Sequence, residues 1–211
     1  MLDFITGVLD WLGVIAFATT GALVASRKEM DIVGFALLGV VTGVGGGTLR
    51  DLLIGVPVFW IAEPAYLVVC VMVSVLVFFT AHVPQSRYRL LLWSDAIGLA
   101  LFTSIGAEKA LIAGSGPVVA IAMGVITATF GGIIRDVLGA ESPVVLRREI
   151  YVSAALLGAC AFVAVVSIGF SRESAMVAGF TLALLVRGAA LWWGWSLPRY
   201  RSRAGRQNDQ T

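Results

Sequence analysis

Charge is scarce in this chain. Asp, Glu, Lys and Arg make up 13% of its 211 residues, about half of the roughly 25% that an ordinary soluble domain carries. With 59% hydrophobic residues and a mean hydropathy of +0.94, that shortage excludes a water-exposed surface and indicates an integral membrane protein. Histidine is scarcer still: His82 is the only one, and without acidic or cysteine neighbours at ligand spacing it reads as a membrane-interface residue. The two cysteines, Cys70 and Cys160, each lie inside an apolar run, which suits packed thiols rather than a disulfide or metal ligands. No metal site and no cofactor are expected, electron-transfer groups included. A nucleophile elbow is missing, and "GVGGGT" at 43–48 lacks the lysine and the strand context of a phosphate loop. The chain is not read as an enzyme. Its net charge is only +2, with basic residues in short clusters between apolar runs, so no nucleic-acid partner is expected.

What the chain has in abundance is apolar sequence. Seven segments, at about 7–26, 32–54, 65–82, 90–107, 117–139, 150–170 and 174–195, approach the roughly 20 apolar residues that a spanning helix needs. The expected fold is all-α with seven transmembrane helices. The first segment is not read as a secretory leader, because Met1, Leu2 and Asp3 supply no positive n-region and the next apolar run follows almost at once. Seven spans put Arg27, Lys28, Arg87, Arg89, Arg147, Arg148, Arg199, Arg201, Arg203 and Arg206 on one side, against Lys109 and Arg172 on the other. By the positive-inside rule the C-terminus is cytoplasmic and the N-terminus outside. Trp192, Trp193 and Trp195 read as an interfacial belt. The basic tail beyond them is expected to lack fixed structure, with weak affinity for anionic membrane lipid.

The sequence also repeats itself. At an offset of 85 residues, "DWLGVIAFATTGA" (10–22) aligns with "DAIGLALFTSIGA" (95–107), and "GVVTGVGGGTLRD" (39–51) with "GVITATFGGIIRD" (124–136). The expected organisation is a first three-helix repeat at 1–89, a second at 90–173, a seventh helix at 174–196 and the tail at 197–211. Three spans per copy make the second copy enter from the opposite side, an inverted repeat.

Each copy carries glycines followed by an Arg-Asp pair: Gly45, Gly46 and Gly47 with Arg50 and Asp51, then Gly131 and Gly132 with Arg135 and Asp136. Glycine costs a helix about 1 kcal/mol relative to alanine, so these positions permit a kink or local unwinding of the second and fifth spans. Intramembrane charge is a functional candidate by default. The glycines are expected to bend two helices around a permeation path, and the charges to line it or lock its mouths. A competing reading makes Gly39, Gly43 and Gly47 a small-residue packing stripe and the charges structural ion pairs. Because adjacent helical residues point about 100° apart, each charge is then expected to pair elsewhere. Asp10 and Asp95, equivalent by the repeat, are either pore-lining or helix N-terminal carboxylates. The hydroxyls of Thr19, Thr20, Thr42, Thr103, Ser104 and Thr127 either bond their own backbone or line a wet path. Glu108 and Lys109 are expected in a solvated loop, and Arg187 is expected to need an acidic or carbonyl partner.

The duplicated "GGGTLRD" and "GGIIRD", with the "RKEMD" turn at 27–31, resemble the bacterial branch of the trimeric intracellular cation channels, and occur too in the wider bacterial family described as glycine transporters. The resemblance covers about residues 5–195. It implies a homotrimer with one pore per subunit, helices two and five kinked at Gly45–Gly47 and Gly131–Gly132, and conduction of monovalent cations such as potassium and sodium. Animal members bind an anionic inositol lipid through basic residues of helix four. The corresponding stretch here, "LLLWSDAIGLALFTSIGA", has none. Phe130 stands where the first copy has Gly45, which implies a stiffer or narrower inner kink with the ring as a gate. The alternative function is a secondary transporter for glycine or another small zwitterion, with half-helix ends holding the carboxylate.

Overall fold

A computed structural model describes residues 2–82, 86–147 and 149–198, with side chains from residue 6 onward. Arg148, Arg199, Arg201, Arg203, Arg206 and most of the expected tail lie outside the described residues. Within them the chain forms eight α-helices, one 3-10 turn and no strand. α1 runs over Leu2–Arg27, α2 over Ile32–Ile54, α3 over Phe59–Ala62, α4 over Ala65–Thr80, α5 over Arg87–Ile112, α6 over Pro117–Leu138, α7 over Val152–Ser167 and α8 over Arg172–Trp193; the 3-10 turn is Val144–Leu146.

Local chemistry sets the boundaries. Asp31 caps α2 by accepting the Gly34 N–H at 2.8 Å, and Gly55 ends it in the left-handed region at φ 72°. Pro117 opens α6 at a position where its missing N–H costs nothing. Ser86 caps α5 by accepting the Arg89 N–H, so that helix starts at Arg87 rather than near 90. It also continues past 107, and Glu108 and Lys109 are helical. The solvated loop expected there is corrected: Glu108 is fully buried, because charges inside a bundle are tolerated when partners from other helices reach them.

Five helices, α1, α2, α5, α6 and α8, are long and apolar enough to cross a membrane, whereas α4 and α7 have 16 residues each. The four-residue α3 was not expected. α1 and α5 pack antiparallel. Asp10 near the start of α1 meets Lys109 near the end of α5, and Ser26 near the end of α1 accepts from Arg87 at the start of α5. Between these points Phe17 packs against Phe102, ring centroids 5.2 Å apart, and each ring lies over a glycine of the other helix, Gly98 and Gly13. These residues exchange places under the 85-residue offset. α4 packs on α1 and α2, α7 on α5 and α6, and α8 on α5 and α7. The surface is apolar around the bundle, with Leu53, Val68, Met72, Leu76, Phe79, Val118 and Leu185 all exposed, an arrangement suited to lipid.

Candidate functional site

α2 and α6 cross at their glycines. A Cβ on Gly46 would overlap the Thr127 carbonyl oxygen, and one on Gly131 would overlap the Thr42 carbonyl oxygen. The two contacts are each other's equivalents. Only glycine lets the backbones approach so closely, the logic of small-residue interfaces between membrane helices. Helical structure runs unbroken through Gly45–Gly47 and through Phe130–Gly132. Neither helix is unwound there, because close approach rather than a freed carbonyl is what these glycines supply. Gly45 faces the Ile134 side chain, and Phe130, its equivalent, is half-buried. Gly39 and Gly43 face Ser74 and Cys70 of α4, and Gly47 faces the Phe59 ring.

One charge cluster lies at the end of α2. Arg50, fully buried, donates from Nε to Asp51 Oδ1 at 2.8 Å, and its Nη2 lies 2.7 Å from the same oxygen. Asp51 Oδ2 accepts the Phe59 N–H at 2.9 Å, supplying the cap that the Val58 side chain cannot give to α3. Asp10 pairs with Lys109, Nζ to Oδ2, at 2.5 Å. The Phe59 ring lies 5.9 Å from the Arg50 guanidinium carbon and 5.4 Å from Lys109 Nζ, within cation-π range. Tyr66 meets Phe59 edge-on and stacks on Trp11 at 3.8 Å.

The second cluster repeats this plan at the end of α6. Arg135 Nε donates to Asp136 Oδ1 at 2.9 Å, and Asp136 Oδ2 accepts the Val144 N–H at 2.9 Å, capping the 3-10 turn. Here, however, Arg135 Nη1 also donates to Asp95 Oδ1 at 2.6 Å. Each Arg-Asp pair is thus bonded within itself, which corrects the expectation for Arg50, whereas Arg135 does pair elsewhere, with Asp95, and both aspartates also hold an N–H of another segment. The arginine stem is long enough to curl back over its neighbour, and the second carboxylate oxygen stays free to hold the next turn. Asp10 and Asp95 lie beyond the first turns of α1 and α5, so ion pairing rather than the helix dipole accounts for them.

The hydroxyls bond backbone. Thr19, Thr42, Thr103 and Thr127 each donate to the carbonyl four residues back, Thr20 to that of Phe17, and Ser104 to Met176 on α8. Arg187 finds both kinds of partner foreseen for it, Glu149 Oε2 at 2.7 Å and the Ile150 carbonyl. Sequence reasoning missed the Lys109–Asp10 and Arg172–Glu108 pairs, the latter at 2.8 Å. It also missed Tyr151, whose buried hydroxyl lies close to Gly132. The repeat could have flagged it, because Tyr151 is the equivalent of Tyr66.

Comparison with known proteins follows the same pattern. The sequence model of a family described as Glycine transporter matches the chain twice, over residues 7–82 and 92–167, again 85 residues apart. The UPF0126 inner membrane protein YadS of Escherichia coli is 43% identical over 198 residues, spanning 91% of this chain and 94% of that protein. A crystal structure of the TRIC trimeric intracellular cation channel orthologue from Rhodobacter sphaeroides superposes with a TM-score of 0.89 at 66% identity, over 90% of this chain and 99% of that one. A prokaryotic TRIC channel crystallised in 0.5 M KCl gives 0.86 at 33% identity, over 92% and 100%. The chain belongs to the family of bacterial TRIC channel orthologues, the same family whose sequence model carries the glycine-transporter description.

Proposed function

We propose that this protein is a cation channel of the bacterial inner membrane, a homotrimer in which each subunit conducts monovalent cations through its own pore. The observation that carries the reading is the pair of matching charge clusters at opposite ends of the antiparallel α1 and α5, with the glycine crossing of α2 and α6 between them. The path runs along α2 and α6 from one cluster to the other, and the crossing is its constriction. Carboxylates at the two ends draw cations toward the path, as charged rings at channel mouths do. Opening separates or slides the two helices there, with Gly46, Gly47, Gly131 and Gly132 as hinges and the Phe130 ring as a gate. The bundle is read as an inverted repeat of three spans each plus α8, with α4 and α7 as short spans. The doubled family match and the offset contacts support the duplication; the trimeric cation channel from Rhodobacter sphaeroides supports the activity and assembly.

Purified protein in liposomes tests this directly. Potassium efflux down a gradient, accompanied by unitary currents in a planar bilayer and no uptake of labelled glycine, is expected. Saturable glycine uptake without unitary currents would move the charge clusters to the substrate site of a transporter and overturn the channel reading.

A further inference from the structure

The two charge clusters differ at one point. Arg135 is held by two carboxylates, Asp136 and Asp95, whereas among the described residues Arg50 is held by Asp51 alone. Asp10, the equivalent of Asp95, is taken by Lys109 instead. The repeat explains why. Lys109 belongs to the second copy, so its counterpart in the first lies 85 positions earlier, at Val24. Val24 is buried and packs on Gly139 beside the second cluster. Where Lys109 offers an ammonium to Asp10, Val24 offers Asp95 nothing, and Asp95 goes to the arginine. Arg50 is correspondingly left with its Nη1 unpartnered among the described residues, although fully buried. Lys109 Nζ and the Arg50 guanidinium both lie within cation-π range of the Phe59 ring, so the cation that holds Asp10 and the arginine border one side chain.

We propose that Lys109 is a positioning residue: it holds the Asp10 carboxylate away from Arg50, and thereby leaves the Arg50 mouth with less carboxylate compensation than the Arg135 mouth. Each half of the molecule holds the same three-group device, with the carboxylate off the arginine in one half and on it in the other. Removing the ammonium lets Asp10 turn to Arg50, which rebuilds at this mouth the arrangement seen around Arg135. The other charges nearby leave this choice open: Asp51 is already on Arg50, Glu63 is exposed, and Glu108 is engaged by Arg172. The positioning itself is independent of transport, and only its consequence for conductance rests on the channel reading.

The test compares wild type, Lys109→Met, Asp10→Asn, the double variant and Lys109→Arg in two measurements, thermal unfolding and unitary potassium current at low salt. If Asp10 moves to Arg50, Lys109→Met lowers the Tm by only about 3 °C or less, and adding Asp10→Asn lowers it further. If Asp10 cannot move, Lys109→Met orphans a buried carboxylate and adding Asp10→Asn raises the Tm again; that result overturns the proposal. In the bilayer, Lys109→Met is expected to raise unitary conductance about two- to threefold, an effect that is screened at high salt. The rise should vanish in the Asp10→Asn background, and Lys109→Arg should behave as wild type. An equal rise with or without Asp10 would show Lys109 acting as a bare charge and overturn the positioning role. Absence of unitary current in wild type, with the expected thermal pattern, overturns the channel reading and leaves the positioning supported.

Discussion

At the scale of single residues, the clusters join two tasks in one carboxylate. Asp51 neutralises Arg50 with one oxygen and caps α3 with the other; Asp136 does the same for Arg135 and the 3-10 turn. Removing one partner of a buried ion pair costs about 3–5 kcal/mol, because the other charge is left uncompensated. The two sites should not respond alike. Asp51→Asn leaves Arg50 without a carboxylate, whereas Asp136→Asn leaves Arg135 still bonded to Asp95. The first is therefore expected to lower the Tm of the detergent-purified protein by about 10 °C and the second by about half as much. Equal losses would mean that Asp95 does not compensate Arg135. In bilayers both variants are expected to change conductance or gating while the trimer survives on size-exclusion chromatography, and unchanged currents in both would remove these charges from the path. The Arg-Asp pairs were legible in the sequence because charge inside an apolar run is conspicuous. Their bonding was not, because the deciding partners, the Phe59 and Val144 N–H groups and Asp95, come from other segments.

At the scale of helices, the glycines act by contact. Gly46 and Gly131 each sit against a backbone carbonyl of the opposite helix, and backbone cannot yield as a side-chain tip can. Gly45, one residue away, would place its Cβ 3.1 Å from the flexible end of Ile134. Gly46→Ala and Gly131→Ala should therefore force α2 and α6 apart, reducing folded protein or shifting open probability severalfold. Gly45→Ala should behave nearly as wild type, and the second copy already carries Phe130 at the equivalent place. Ordered in this way, single-channel recordings and yields of monodisperse protein would support the crossing; a Gly45→Ala defect as severe as Gly46→Ala would count against it. Phe130→Gly is expected to alter open probability, and identical currents would return the ring to packing. The helices themselves were readable from apolar runs and caps. α5 was misjudged because Glu108 and Lys109 look like a loop until Arg172 and Asp10 are seen to reach them. The short α3 leaves almost no periodic signal in four residues.

For the whole molecule, the ends of the bundle carry unequal charge. Ion pairs and hydrogen bonds gather Arg27, Lys28, Arg87 and Arg147 at one end, around Glu141, Ser26 and Tyr88. The opposite end presents Lys109 and Arg172, each already matched by a carboxylate, Asp10 and Glu108. The division was foreseeable from the seven spans expected of the sequence, which would put the α1–α2 turn and the start of α5 on one side. The cross-links that tie the end together, such as Arg27 to Glu141 across 114 positions, were beyond any local pattern. Excess Lys and Arg in short loops is retained on the cytoplasmic side, so the Arg27 end should face the cytoplasm and the Lys109 end the exterior. The α8 helix then ends inside, its exposed Trp192 and Trp193 at the inner interface. A C-terminal fusion to green fluorescent protein is expected to fluoresce, and one to alkaline phosphatase to be inactive. A cysteine at Ser115, between α5 and α6, should react with an impermeant maleimide on intact cells when Cys70 and Cys160 are replaced by alanine. Active phosphatase at the C-terminus, together with a silent Ser115→Cys, would invert the molecule and put the Lys109–Asp10 pair on the cytoplasmic side.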